Sequence, residues 1–262
     1  MPFTLSHPAA VLPLPRKHLV LSALVVGSMA PDFPYFVRLV EDTGRLGHSF
    51  AGLLYFCIPV GLVLLWLWHK ILKLPLLALA PRQLSTRLSP KDLRFRFGGW
   101  SRFALILASL WIGAALHVFW DGFTHYHGKF VHYLPILGRP VYHGVPLYSA
   151  LQYVSSVVGL IVIAWAYFRW VRRTPAFNRP VVEPLTFRGR VQVGIAAVAV
   201  AFAIGAYTGK LAHIQLPPPS MNAFLVKLLI TSLSVGFVEL LLYATWWHLS
   251  KRKAPVLFST GD

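Results

Sequence analysis

The run His117-Val118-Phe119-Trp120-Asp121-Gly122-Phe123-Thr124-His125 sets two imidazoles around one carboxylate at i, i+4 and i+8. On an α-helix each step of four residues turns by only about 40°, so the three would share one stripe. An imidazole and a carboxylate one turn apart can bind one cation or bridge two. Thr124 could support such a ligand by hydrogen bonding. The plainer alternative is a histidine–aspartate hydrogen bond that packs a helix end. Even so, an ionisable residue inside an apolar helix is a functional-site hypothesis by default.

Three other positions extend the pattern. In Ala30-Pro31-Asp32-Phe33-Pro34-Tyr35 the prolines remove backbone donors and break the helix, which leaves Asp32 at a fixed bend. Alone, Asp32 reads as a turn carboxylate that caps a helix end. Gly47-His48-Ser49 follows just before an apolar stretch, where a lone histidine is usually an interface residue. His7, in Leu5-Ser6-His7-Pro8, is the most ambiguous, because Ser6 could cap a short helix with Pro8 in its first turn.

The combination is more specific than its parts. Asp32, His48, His117, Asp121 and His125 offer the nitrogen and oxygen ligands that suit a divalent metal, Zn²⁺ first, with Mn²⁺ or Fe as alternatives. A metal there would polarise a substrate oxygen and lower the pKa of a bound water. Hydrolysis follows most simply, with Asp32 and Asp121 as the catalytic carboxylates, since no serine or cysteine nucleophile with a base partner is apparent. A different class also fits: a non-catalytic multi-pass protein, a small transporter or assembly factor, whose His/Asp cluster is structural or binds ions transiently. Haem ligation by paired histidines would leave Asp32 and Asp121 without a role.

Positioning these residues falls to membrane helices. Of 262 residues 56% are hydrophobic and only 13% charged, with mean hydropathy +0.60. Ordinary globular chains carry about 25% charged residues, so lipid must solvate much of this surface. Apolar stretches near 51–69, 103–121, 148–169, 191–211 and 224–249 each approach the roughly 20 residues a bilayer requires. Segment 18–40 either spans with a kink or forms a re-entrant hairpin. The expected fold class is all-α, a polytopic transmembrane helical bundle of about six spans, or five if 18–40 is re-entrant. The whole chain, 1–262, reads as one integral membrane domain.

Charge gives the orientation. The net charge is +17, and the cations gather in segments 70–102 and 169–190, with Arg16, Lys17, Lys251, Arg252 and Lys253 at the ends. Basic residues clustered in loops between apolar spans indicate cytoplasmic loops rather than nucleic-acid binding. Six spans place both termini in the cytoplasm and Asp32, His48, His117 and Asp121 at the outer face. The expected partners are the lipid bilayer and a lipid-derived substrate. The one cysteine, Cys57, excludes an intramolecular disulfide. Pro31, just after Ser28-Met29-Ala30, argues against a cleaved leader. The outer segment 122–147 adds His127, His132, His143, Tyr126, Tyr133 and Tyr142, as candidates for a substrate mouth or plain interface residues.

The opening Met1-Pro2-Phe3-Thr4-Leu5-Ser6-His7, the Gly27–Tyr35 run, Gly47-His48-Ser49 and the 117–125 run together resemble a bacterial membrane family of unknown function, DUF4184. The resemblance covers most of the chain and is strongest over 1–170. The short motifs are also similar to membrane-bound metal-dependent hydrolases of the YdjM type, and more distantly to zinc-dependent phospholipase C. This resemblance implies a bacterial plasma (inner) membrane protein with metal ligands His7, Asp32, His48, His117 and Asp121. Six spans would strand His7 on the face opposite the other four; a re-entrant 1–40 would let it reach them.

Overall fold

A computed structural model of the chain describes residues 3–14, 17–39, 46–215 and 221–251. Arg16, Arg252, Lys253 and the Pro217-Pro218-Pro219 run lie outside the described residues. The main helices among the described residues are α1 (Pro8–Val11), α2 (Leu21–Gly27), α3 (Phe33–Arg38), α4 (Phe50–Leu79), α5 (Trp100–Thr124), α6 (Leu147–Arg173), α7 (Phe187–Gln215) and α8 (Met221–Lys251). Among the described residues, five helices are long and apolar enough to cross a membrane: α4, α5 with its short extension to Tyr133, α6, α7 and α8. The fold is all-α and polytopic, in its five-span form.

Segment 18–40 does not make a sixth span. It forms α2, a 3₁₀ turn over Ala30–Asp32, and α3, and the apolar stretch Leu21–Val37 is shorter than the other five. The prolines at 31 and 34 are the cause, since each removes an amide donor from a continuing helix. Downstream the helix runs longer than hydropathy suggests. α4 passes through Lys70 and Lys73 to Leu79, because Ile71, Leu72, Leu74, Leu76 and Leu77 sustain its apolar surface.

Two compact units arise, one from residues 1–65 with 95–175, the other from 66–94 with 176–262. In the second, α7 and α8 pack through small residues. A side chain at Gly205 would meet Ser232 Oγ and the Leu228 carbonyl, and Thr208 donates to Thr231 at 3.1 Å. Close backbone approach of this kind is how helices associate where lipid replaces water. A cluster of Leu77, Ala78 and Val182 completes this unit, tied by Ser85 Oγ, which donates to the Val182 carbonyl at 2.6 Å.

The first unit is built around α5. Its buried residues Ile106, Leu110, Gly113, Ala114, His117 and Asp121 recur every three to four positions, so one stripe faces inward. α2 lies against that stripe with backbone nearly touching backbone. A Cβ at Gly27 would fall 2.3 Å from the Leu110 carbonyl, and one at Gly113 would fall 2.3 Å from the Leu24 carbonyl. Ser109 Oγ accepts from the Val20 amide at 2.9 Å, satisfying a donor at the start of α2. α6 packs on the N-terminal turn Thr4–Ser6, where the Phe3 amide donates to Ser156 Oγ at 2.9 Å and Gly159 leaves room for Ser6. Only 6% of the central window of α6 is buried, so its apolar surface needs lipid as solvent.

Segment 122–147 is ordered rather than a plain loop. A short helix over Lys129–Tyr133 leads to a hairpin of β1 (Pro140–Tyr142) and β2 (Val145–Pro146). His143 and Gly144 have φ of 45° and 78°, the left-handed pair that closes a tight hairpin.

Candidate metal centre

Four segments of the first unit deliver side chains to one point. The bend between α2 and α3 presents Asp32. The residue before the α4 cap presents His48, and Ser49 fixes that cap by accepting from the Gly52 amide at 2.9 Å. The last turns of α5 present His117 and Asp121. The turn before α1 presents His7.

Asp121 Oδ2 lies 3.0 Å from His48 Nε2 and 3.2 Å from His117 Nε2. Asp32 Oδ1 lies 3.4 Å from His117 Nε2 and 3.7 Å from His48 Nε2. One ligand atom from each of these four residues lies within 4.8 Å of all the others. Four donors bound tetrahedrally at about 2 Å sit about 3.3 Å from one another, and these four His–Asp separations bracket that value. A buried Asp/His/His/Asp group able to hold a metal ion is therefore present.

The surroundings orient these atoms as metal ligands are commonly oriented. His117 donates through Nδ1 to the Ser28 carbonyl at 2.7 Å, which leaves the Nε2 lone pair turned toward the carboxylates. That lone pair and Asp32 Oδ1 are both buried without a hydrogen-bond partner. Electron-rich atoms crowded together out of water require positive charge among them. The other oxygen of Asp32 accepts from Thr4 Oγ1 at 2.6 Å, a hydroxyl that holds the carboxylate in place. Asp32, His117 and Asp121 are at most 5% exposed. The side chains of His48 and His125 are 21% and 28% exposed, so the group opens to the surface on their side.

His7 reaches the cluster. Its ring stacks on His117 with centroids 3.8 Å apart, and Nε2 lies 3.2 Å from Asp121 Oδ1. The six-span arrangement would separate it from the others; the broken 18–40 segment returns the chain and removes the conflict. His125 does not continue the stripe of His117 and Asp121. α5 ends at Thr124 and His125 is extended, so its Nδ1 turns back to the Asp121 main-chain carbonyl at 3.1 Å and lies 3.7 Å from Asp121 Oδ1. Thr124 Oγ1 sits 3.3 Å from that same nitrogen and touches neither His117 nor Asp121 through an observed hydrogen bond. Tyr126, His127, His132, Tyr133, Tyr142 and His143 are exposed and stand outside the group of four.

Two contributors were not singled out by residue type. The Ser28 carbonyl is a backbone group with no sequence signature. Thr4 lies in the opening Met1–His7 motif, three positions before His7, but a hydroxyl there has no distinctive spacing to Asp32. Gly27 and Gly113, which let α2 approach closely enough for Ser28 to meet His117, look like ordinary membrane-helix glycines.

A family model described as Domain of unknown function (DUF4184) matches residues 1–245. No curated protein and no solved structure matches the chain. The likeness to YdjM-type hydrolases rests on the short motifs alone.

Proposed function

We propose that this chain, which belongs to the DUF4184 family, is a membrane-embedded metal-dependent hydrolase acting on a lipid or an ester or phosphoester that reaches it from the bilayer. The observation that carries the reading is the set of ligand-atom separations among Asp32, His48, His117 and Asp121. The donor set suits Zn²⁺, with Mn²⁺ or Fe as alternatives. Such an ion, when bound, polarises a substrate oxygen and acidifies a water. Asp32 and Asp121 bring the negative charge that retains it. Thr4 fixes Asp32, and Ser28 fixes the tautomer and direction of His117. The more open side, at His48 and His125, is where a substrate would enter, and the segment that follows carries the exposed rings of Tyr126, Tyr133 and Tyr142.

The site faces outward in a bacterial plasma membrane. Arg96 and Arg102 flank the start of α5, and Arg169, Arg172 and Arg173 the end of α6, and this basic bias supports a cytoplasmic position for those ends. His117 and Asp121 lie toward the other end of α5. With five crossings the N-terminal segment shares the outer side and the C-terminal end of α8 is cytoplasmic.

The test is metal content and hydrolysis together. Detergent-solubilised wild type should carry transition metal and cleave members of a panel of chromogenic phosphomonoesters, phosphodiesters and acyl esters; Asp121→Ala should lose both. A wild-type protein that takes up no transition metal under any loading condition sinks the proposal.

A further inference from the structure

We infer that the cluster binds two metal ions, with Asp121 as the carboxylate that bridges them. This rests on the reading of the cluster as a metal centre, and it adds a second site that the group of four does not contain. The two oxygens of Asp121 face different residues. Oδ2 faces His48 and His117, at 3.0 and 3.2 Å. Oδ1 faces His7 Nε2 at 3.2 Å and His125 Nδ1 at 3.7 Å. A bridging carboxylate divides its oxygens in this way.

The stacked histidines set the spacing. The His7 and His117 rings are 3.8 Å apart and within 18° of parallel, and each directs Nε2 at a different oxygen of the same carboxylate. An imidazole ligates in the plane of its ring. Two nearly parallel rings directed at different oxygens of one carboxylate suit two neighbouring ions, and two-metal sites keep their ions about 3.5–4 Å apart. Two buried imidazoles stacked face to face are otherwise costly, because each is a polar ring that gives up water. His7 is 5% exposed, and its Nδ1 is buried with no hydrogen-bond partner. Its Nε2 is within hydrogen-bonding distance of Asp121 Oδ1, and an ion held between these two atoms would take the place of that contact.

The two sites differ in richness. The first has four protein ligands. The second has His7 and Asp121 Oδ1, with His125 at the open edge, its Nδ1 now on the Asp121 main-chain carbonyl. Fewer protein ligands and greater exposure make the second ion the weaker and more exchangeable one, with positions left for solvent.

The experiment is stoichiometric and spectroscopic, on full-length protein in detergent titrated with Mn²⁺. Wild type should take two ions in a tight and a weak step, and the doubly loaded form should show the exchange-coupled electron paramagnetic resonance spectrum of a Mn²⁺ pair. His7→Ala should take one ion and show an isolated Mn²⁺ spectrum. His7→Gln, which fills the same space, is run beside it to read any loss of packing separately, and should also take one. A single ion in wild type overturns the two-ion inference and leaves the hydrolase proposal standing; no ion overturns both. Two coupled ions in both His7 variants overturn the assignment of His7, and loss of both ions in His7→Gln overturns the division into two sites.

Discussion

His117 Nδ1 and the carbonyl of Ser28 are 2.7 Å apart, and this one hydrogen bond decides which nitrogen of His117 faces Asp32 and Asp121. The bond exists because α2 and α5 touch through Gly27 and Gly113. Gly113→Ala would set a methyl 2.3 Å from the Leu24 carbonyl and 2.7 Å from the Ser28 amide. α2 must then retreat and take the Ser28 carbonyl with it. The expected result is a loss of about 1–3 kcal/mol from overpacking and metal binding about 10–100-fold weaker, as when a partner behind a ligand is lost. Thermal unfolding in detergent and metal titration of the same preparation measure the two effects. Unchanged metal affinity would show that the orientation of His117 does not depend on this contact.

Thr4→Val keeps the shape of the side chain and deletes the hydroxyl that donates to Asp32 Oδ2. A buried oxygen deprived of its donor costs about 1–3 kcal/mol, more for a charged group. The variant should bind metal about 10–100-fold more weakly while Thr4→Ser retains binding. Equal affinities for the two variants would remove Thr4 from the site.

His117→Ala separates the hydrolase from a non-catalytic protein with a structural cluster. With metal chemistry at the site, the variant keeps its helical content and loses both tight metal binding and hydrolysis. If the cluster serves only packing, the variant loses stability and there is no hydrolytic activity to lose. Circular dichroism, metal analysis and turnover on one sample distinguish the outcomes.

Metal retention should fall with acidity. Histidine ligates only through a neutral nitrogen, so protons compete with the metal. His48, His117 and His7 all present nitrogen to the site. Affinity should drop as pH falls, with a slope above one proton per ion. Equilibrium dialysis across a pH series measures it; a flat profile would exclude histidine ligation.

Topology is testable by labelling. In a Cys57→Ser background, Tyr126→Cys should react with a membrane-impermeant maleimide in intact cells, and Pro175→Cys only after permeabilisation. The reverse pattern would turn the site toward the cytoplasm.

The sequence disclosed the site's side chains more fully than their arrangement. Asp32, His48, His117 and Asp121 stood out because charge is scarce in so apolar a chain, and scarcity survives without knowledge of the fold. The break at Pro31 was also visible, but the direction of the chain after it was not. Hydropathy alone leaves 18–40 as either a crossing or a turn, and the fate of His7 depends on which. His125 leaves the expected stripe for a local reason: the i, i+4, i+8 spacing presumes a continuing helix, and α5 stops at Thr124. The Ser28 carbonyl and the glycine contacts behind it were illegible, because a backbone oxygen has no residue type and a glycine at a close approach looks like any other.

Asp121 is separated from His7 by 114 positions, and this imposes an order on biogenesis. Thr4, His7, Asp32 and His48 leave the ribosome well before α5 has been made. Until α5 is inserted, the early segment lacks the Leu110 and Gly113 backbone that α2 packs on, and the cluster lacks Asp121. Metal capture would then be a checkpoint late in assembly, reporting that the amino-terminal turn, the bend at Asp32 and α5 have found one another. A chain arrested before α5 would expose Asp32 and two imidazoles to whatever else can chelate or degrade it.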